Sequence, residues 1–255
     1  MITHLELQLK LPRNEKIHAN LSYALYGSLC GSMLIELAEA FHAQEITPLR
    51  QNLRPAKEDG QCIWVLDLFD AAEELLGLLC ELRQIPLHCY DKPVQVLSSP
   101  VVRSIAISQL LSESQTWPGN AAAEIIFETP CSFKVAGEYA MFPTTDLLVQ
   151  SLFFRWNALI PDCSLEDQDA LHLLASGLKI RQYRLSSRNY WMKGQRIPGF
   201  SGSIQISSRL PAPMLELWHL LLTFAPYSGI GIKPALGMGA VSVRPVPFSR
   251  KNSLL

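Results

Sequence analysis

The chain has 255 residues, of which 48% are hydrophobic and 18% charged, with 22 Lys/Arg against 23 Asp/Glu. That length and apolar content suffice for one large domain or two small ones and exclude a disordered chain, and no apolar run reaches the ~20 residues a bilayer-spanning helix needs. The near-neutral total hides a split: residues 170–255 hold eleven Lys/Arg and one acid, Glu216, whereas residues 1–169 hold eleven Lys/Arg and twenty-two acids.

The C-terminal third therefore carries enough positive potential to hold a phosphate backbone by itself. The start, Met1 to Glu6, has no basic stretch followed by an apolar one, so no secretory signal is expected and the expected location is cytoplasmic, without a membrane partner. The six cysteines (Cys30, Cys62, Cys80, Cys89, Cys131, Cys163) form no C-x-x-C pair and mostly have apolar neighbours. They read as reduced thiols, with no metal site and no cofactor expected.

In chain order, Thr3 to Leu11 alternates, with Leu5, Leu7, Leu9 and Leu11 on one face, the pattern of a half-buried strand. From Leu21 to Phe41 apolar residues recur every four positions and predict one helix or two, with Gly27, Gly31 and Ser32 in the middle marking a kink or break. Ile46 to Leu53 and Cys62 to Leu68 are strand candidates joined by a charged loop. Asp70 is placed to cap a helix over Ala71 to Leu82. Ile85 to Ile107 reads as extended, and the polar, turn-rich Ser112 to Asn120 as a linker.

Beyond the linker, Ala122 to Glu128 predicts a strand, and Thr144 to Leu159 a helix capped by Thr144 or Thr145. Leu171 to Leu185 and Gly199 to Ser208 predict strands, Pro213 to Phe224 a helix, and Ala240 to Arg244 a last strand. Each half runs β-α-β-β-α-β, so the predicted fold is α+β with two tandem ferredoxin-like domains, 1–115 and 120–255.

Two stretches carry the chemistry. The basic segment Lys179 to Arg196 interleaves Lys179, Arg181, Arg184, Arg188, Lys193 and Arg196 with Tyr183, Tyr190 and Trp191. Lys179, Arg181 and Tyr183 are expected on one face of a strand, with Arg184 at the start of a hairpin. Cations there suit phosphates, and exposed rings suit unpaired bases.

The second stretch, Ser228 to Val241, holds Gly229, Gly231, Gly237 and Gly239 around Lys233. A nucleotide-binding Walker loop needs its lysine directly after the last glycine and a helix beyond, and a dinucleotide fingerprint needs strand, turn, helix. Neither order holds here. The loop reads as a cradle of backbone amides for a polyanion, against the alternative of a purely structural turn.

The run Gly-Ile-Gly-x-Lys-x-x-Leu-Gly-Met-Gly over Gly229 to Gly239 resembles the C-terminal signature of the CRISPR-associated endoribonucleases that process precursor CRISPR RNA, in the repeat-associated mysterious protein superfamily. Phe127 to Lys134, Phe142-Pro143 and Phe153 to Asn157 resemble the same C-terminal domain, so the likeness covers roughly the last 130 residues. Ile232 and Pro234 stand where that family usually has a basic residue and a Thr.

The resemblance implies a metal-independent endoribonuclease. The 2′-OH beside the scissile bond attacks its own phosphate and leaves 2′,3′-cyclic phosphate and 5′-OH ends. CRISPR repeat RNA is the implied partner, with other subunits of an effector complex as further ones. His42, after the first helix, matches the family's catalytic histidine, and an imidazole titrates where such a proton transfer needs it. Arg50, with Arg54 on the same strand, is the candidate for neutralising developing charge, and Tyr26 the candidate donor near the nucleophile. Sixteen residues of unbroken helix span about 24 Å, so Tyr26 approaches His42 only if the chain folds back at Gly31-Ser32. The alternatives are a non-cleaving CRISPR RNA scaffold subunit and a metabolic enzyme holding a small anion in the glycine loop.

Overall fold

The computed structural model describes residues 1–12, 17–43, 45–119, 121–165 and 167–247, with the side chains of Ala40, His42 and Ala43 outside the described set. Strand β1 (Ile2–Lys10) buries Leu5, Leu7 and Leu9 completely, as the alternation predicts. The helical stretch after it is broken. Helix α1 (Asn20–Ser32) ends with Met33 extended at ψ 158°, and α2 (Ile35–Ala43) starts afresh. Ser32 at the break turns its hydroxyl back to the carbonyl of Ser28 (2.9 Å), a bond that competes with continued helix.

Strands β2 (Leu49–Pro55) and β3 (Gln61–Phe69) follow, then α3 (Glu73–Glu81). Asp70 does not cap that helix, contrary to expectation. It sits at φ 46°, and its carboxylate takes the N-terminal ammonium of Met1 at 2.6 Å, because the β1–β3 register sets Ile2 opposite Phe69.

The predicted extended stretch becomes β4 (Gln84–Ile85), β5 (Val94–Val96) and β6 (Val101–Ile105). Two of these share one edge of β1. Strand β5 pairs with Leu9 and Lys10, β6 with Ile2 to Glu6, and Ser98-Ser99-Pro100 interrupts them. The sheet order β2-β3-β1 with β5 and β6 beyond is the antiparallel ferredoxin-like order, second, third, first, fourth. Leu21, Leu25 and Leu29 of α1 and Leu75 and Leu79 of α3 share a core with the leucines of β1.

The expected linker begins inside a helix: α4 (Ile107–Ser114) runs into its first three residues and buries Leu110 completely. Its serines turn their hydroxyls onto their own helix, Ser112 to Ser108 and Ser114 to Leu111, so a polar composition did not prevent helix here.

In the second half, β7 (Ala122–Cys131) is followed by a small hairpin, β8 (Phe133–Val135) and β9 (Glu138–Ala140), and by α5 (Thr145–Leu159). Thr144 caps α5, accepting from the Leu147 amide (3.2 Å). The strand expected from Leu171 is a helix at its start: α6 (Gln168–Gly177), capped by Asp167 through the amides of Asp169 and Ala170. Leu171, Leu174 and Ala175 bury one stripe at helical spacing, which overrides a reading by alternation.

Strands β10 (Leu178–Met192) and β11 (Gln195–Ser208) form a long hairpin, then come α7 (Ala212–Ser228) and β12 (Val241–Val246). The order β10-β11-β7-β12 repeats that of the first sheet. Ile2, Phe69, Ile105 and Leu110 from the first half join Phe127, Leu152, Trp156 and Phe224 from the second in one apolar core. The two sheets are therefore packed through a common interior.

Candidate nucleic-acid interface

The glycine loop leaves α7 at Gly229, passes a single 3₁₀ turn at Pro234–Leu236 and enters β12. Most of its backbone amides are already engaged. Ile230 donates to Gly239, Gly231 to the Ser151 hydroxyl, Ile232 to Ser132, Gly239 to Pro130 and Ala240 to the Thr129 hydroxyl, all at 2.8–2.9 Å. The amides expected to form an open cradle are thus mostly bonded within the protein, since a buried N–H takes whichever acceptor lies within reach.

The glycines serve close approach instead. At Gly239 (φ 63°) a Cβ would lie 1.9 Å from the Ile230 carbonyl oxygen, and at Gly237 (φ 95°) 2.3 Å from the Ser22 Cβ on α1. The loop is a clasp between the halves. Gln51 of β2 donates to the carbonyls of Ala235 (2.9 Å) and Ser22 (2.8 Å) and accepts from the Trp64 indole. The Tyr190 hydroxyl donates to the Leu236 carbonyl, and Tyr190, Ile197 and Met238 form a small core against Tyr23 of α1 and Ala19 just before it. Lys233, half-buried at φ 56°, has no ion-pair partner among the described residues.

The basic hairpin carries its cations outward. Lys179, Arg181, Arg184, Arg188, Lys193 and Arg196 are all exposed, and Lys193-Gly194 form the turn with φ 50° and 75°. A β-bulge at Arg181 corrects the expected face. After it, Tyr183 pairs opposite the buried Ile204, while Lys179 and Arg184 lie opposite Ser207 and Ser203 on the face turned away from that core. Arg181, the extra residue, donates to the Ser207 hydroxyl at 2.7 Å. A bulge adds one residue to one strand and so inverts the alternation beyond it. At the turn end the hairpin meets α1, where the Trp191 amide donates to the Asn20 side chain (3.1 Å).

Of the residues expected at the reacting centre, His42 lies in the last turn of α2, and its side chain lies outside the described residues. Tyr26 is 7% exposed on α1, and burial raises its phenol, which stays a protonated donor. The break between α1 and α2 brings it near Thr47, five residues beyond His42, and its hydroxyl lies within reach of Thr47 and Cys30.

Arg50 is not open to a substrate. It is 1% exposed and paired with Asp67 at 2.9 Å, and its pKa is lowered by burial against the pull of that carboxylate. The other Asp67 oxygen accepts from His4 Nδ1 at 2.6 Å. Arg54, half-exposed, lies near Glu6 (3.6 Å) and Glu128 (3.9 Å). Arg155, also buried, donates to the Ser228 carbonyl (2.7 Å), and burial, with Arg50 nearby, lowers it to about 9. This network was missed from the sequence. Its signal was Asp67, a lone acid inside the apolar strand run Cys62 to Phe69.

The model of the CRISPR-associated endoribonuclease Cas6 family matches residues 125–241, which span β7 through the clasp to β12. A Cas6 endoribonuclease of Streptococcus thermophilus is 27% identical over 226 residues, 88% of this chain and 91% of that one. Over these residues the chain is similar to the Cas6 family. A Cas6 of Mycobacterium tuberculosis is 25% identical over 95% of this chain and 77% of its own length. Among solved structures, a Cas6 product complex superposes with a TM-score of 0.79 at 21% identity, covering 96% of this chain and all of that one. Thermus thermophilus Cas6 does so with a TM-score of 0.70 at 20% identity, covering 96% and 98%. The Cas6 fold, with its tandem ferredoxin-like sheets, thus extends over both halves of this chain, although the family model matches only within the second.

Proposed function

We propose that this chain is a metal-independent endoribonuclease that cuts precursor CRISPR RNA within its repeats, and that its halves, 1–115 and 120–255, divide reaction from grip. The observation that carries the reading is strand β10: four exposed cations, no acid in fifteen residues, on a Cas6-fold sheet. The cationic hairpin and Lys233 hold the repeat's phosphates, while the clasp keeps the hairpin's turn fixed against α1.

His42 transfers the proton of the attacking 2′-OH or of the leaving 5′-oxygen, and the products are a 2′,3′-cyclic phosphate and a 5′-OH. Two features support it: His42 ends the helix whose break returns the chain past Tyr26, and a solved Cas6 relative with the same fold is a histidine-to-alanine mutant. Arg50, paired inside the seam, orders β2 and β3 and contacts no phosphate in this reading.

The test is incubation with a panel of repeat RNAs in EDTA, each also made 2′-deoxy at single positions. Cleavage by the wild type, about 10²- to 10⁴-fold slower in His42→Ala with RNA affinity kept, is expected, as is full protection by one 2′-deoxy substitution. Equal cutting by His42→Ala, or cutting only with magnesium, overturns the mechanism. A gel shift without cleavage identifies a scaffold subunit instead.

A further inference from the structure

Phe142 and Tyr183 are large, exposed rings that neither core nor clasp uses, 50% and 62% exposed. They meet edge-to-face, with centroids 5.5 Å apart and planes at 88°. Phe142 precedes the buried Pro143 and the capped start of α5, and Tyr183 sits two residues past the bulge of β10. An aromatic pair that is rigid before binding loses little freedom on binding, and an edge-to-face pair leaves a ring face free.

The strand beneath them decides what would cover them. β10 is the outer strand of its sheet, and an uncovered strand edge invites a peptide strand. Here the bulge interrupts the ladder, and Lys179, Arg181, Arg184 and Arg188 crowd the edge without ion-pair partners among the described residues. Those features oppose strand addition and attract a polyanion. Lys179 and Arg184 face away from Tyr183 across this edge, so a single strand wrapping the edge sets its phosphates on those cations and turns a base onto the aromatic pair, the two kinds of group that hold single-stranded nucleic acid. Tyr183 lies eight residues from Trp191, roughly 26 Å along the strand, so this place is separate from the hairpin's turn.

We infer that Phe142 and Tyr183 form a stacking site for an unpaired base of single-stranded RNA, whose phosphates run along the cationic edge of β10. The inference rests on the RNA-binding reading above and adds to it a site for an unpaired flank of the substrate. Its test compares an eight-nucleotide oligouridylate with an abasic ribose-phosphate strand of equal length, by fluorescence anisotropy on the full chain.

In Phe142→Ala/Tyr183→Ala, affinity for oligouridylate should fall about 5- to 150-fold, with unchanged affinity for the abasic strand, unchanged salt dependence and an unchanged melting temperature. Tyr183→Phe should retain stacking. Equal affinity of variant and wild type for oligouridylate, or an equal loss on the abasic strand, overturns the stacking site and leaves the RNA-binding reading intact. If the variant binds RNA like the wild type and only loses self-association in light scattering, the rings are a protein contact. If the wild type binds neither strand, both readings fall.

Discussion

Asp67 shows how one buried acid organises a seam: its two oxygens hold His4 at 2.6 Å and Arg50 at 2.9 Å. His4 is raised above its ordinary value mainly by the hydrogen bond to Asp67, with burial working against it. A raised folded-state pKa means stability that is fully present below the unfolded value, near 6.5, and is lost as pH rises through the raised one. His219, stacked on Trp117 and lowered by burial, has the opposite sign and loses stability as pH falls below about 6.5. Urea midpoints from acid to mildly alkaline pH should therefore decline less on the alkaline side in His4→Gln than in wild type. Parallel curves would refute the assignment. Gly239→Ala is the sharpest steric test, because left-handed strain and a 1.9 Å clash with a carbonyl coincide. It should cost on the order of 2–4 kcal/mol by denaturant unfolding. Gly137→Ala, with φ 90° and open space around it, should cost only the conformational share, about 1–2 kcal/mol.

At the scale of elements, the β10–β11 hairpin combines two jobs on one ribbon. Its turn end is pinned by Tyr190, Ile197 and Met238, and its open length carries cations. Charge and packing are separated by residue, so they can be varied apart. Arg184→Ala and Arg188→Ala should each weaken single-stranded RNA binding and reduce the slope of log affinity against log salt by about 0.7 for each phosphate that is no longer neutralised. Melting temperatures should hold, since both side chains are exposed and away from the small core. A slope that stays at the wild-type value would place the phosphates elsewhere. The α1–α2 break works at the same scale: a straight helix would carry its far end away from Tyr26, whereas the break returns the chain so that Thr47 meets the tyrosine.

For the molecule as a whole, two ferredoxin-like sheets share an interior. Ile2 and Phe69 pack with Phe224 from the other half, and Phe69 meets Phe224 edge-to-face at 5.9 Å. The clasp and hairpin add hydrogen bonds across the same boundary, from Gln51 to Ala235 and from the Trp191 amide to Asn20. Removing either half would expose apolar surface that the other covers. Unfolding is therefore expected as one calorimetric transition, with van 't Hoff and calorimetric enthalpies agreeing. Two resolved transitions would show that the halves fold separately.

Local patterns by themselves determined much of this: the leucine alternation of β1, the break after Gly31, the Thr144 cap and the doubled β-α-β-β-α-β order all follow from short-range periodicity and turn chemistry. So did the basic third of the chain, because charge is counted, not folded. Where short-range signals competed, the reading failed, as at Asp70, where the chain's own N-terminus displaced the helix as its partner, and at α6, where a buried stripe outweighed apparent alternation. The glycine loop marks the deeper limit. Its glycines announced close backbone approach, but whether a phosphate or the protein's own carbonyls came close depended on β7, β2, α1 and β10 converging from positions far apart in the chain. Only tertiary structure decides which acceptor reaches an amide first, and it likewise buried Arg50 against Asp67 and, through one bulged residue, turned Tyr183 away from its neighbouring cations.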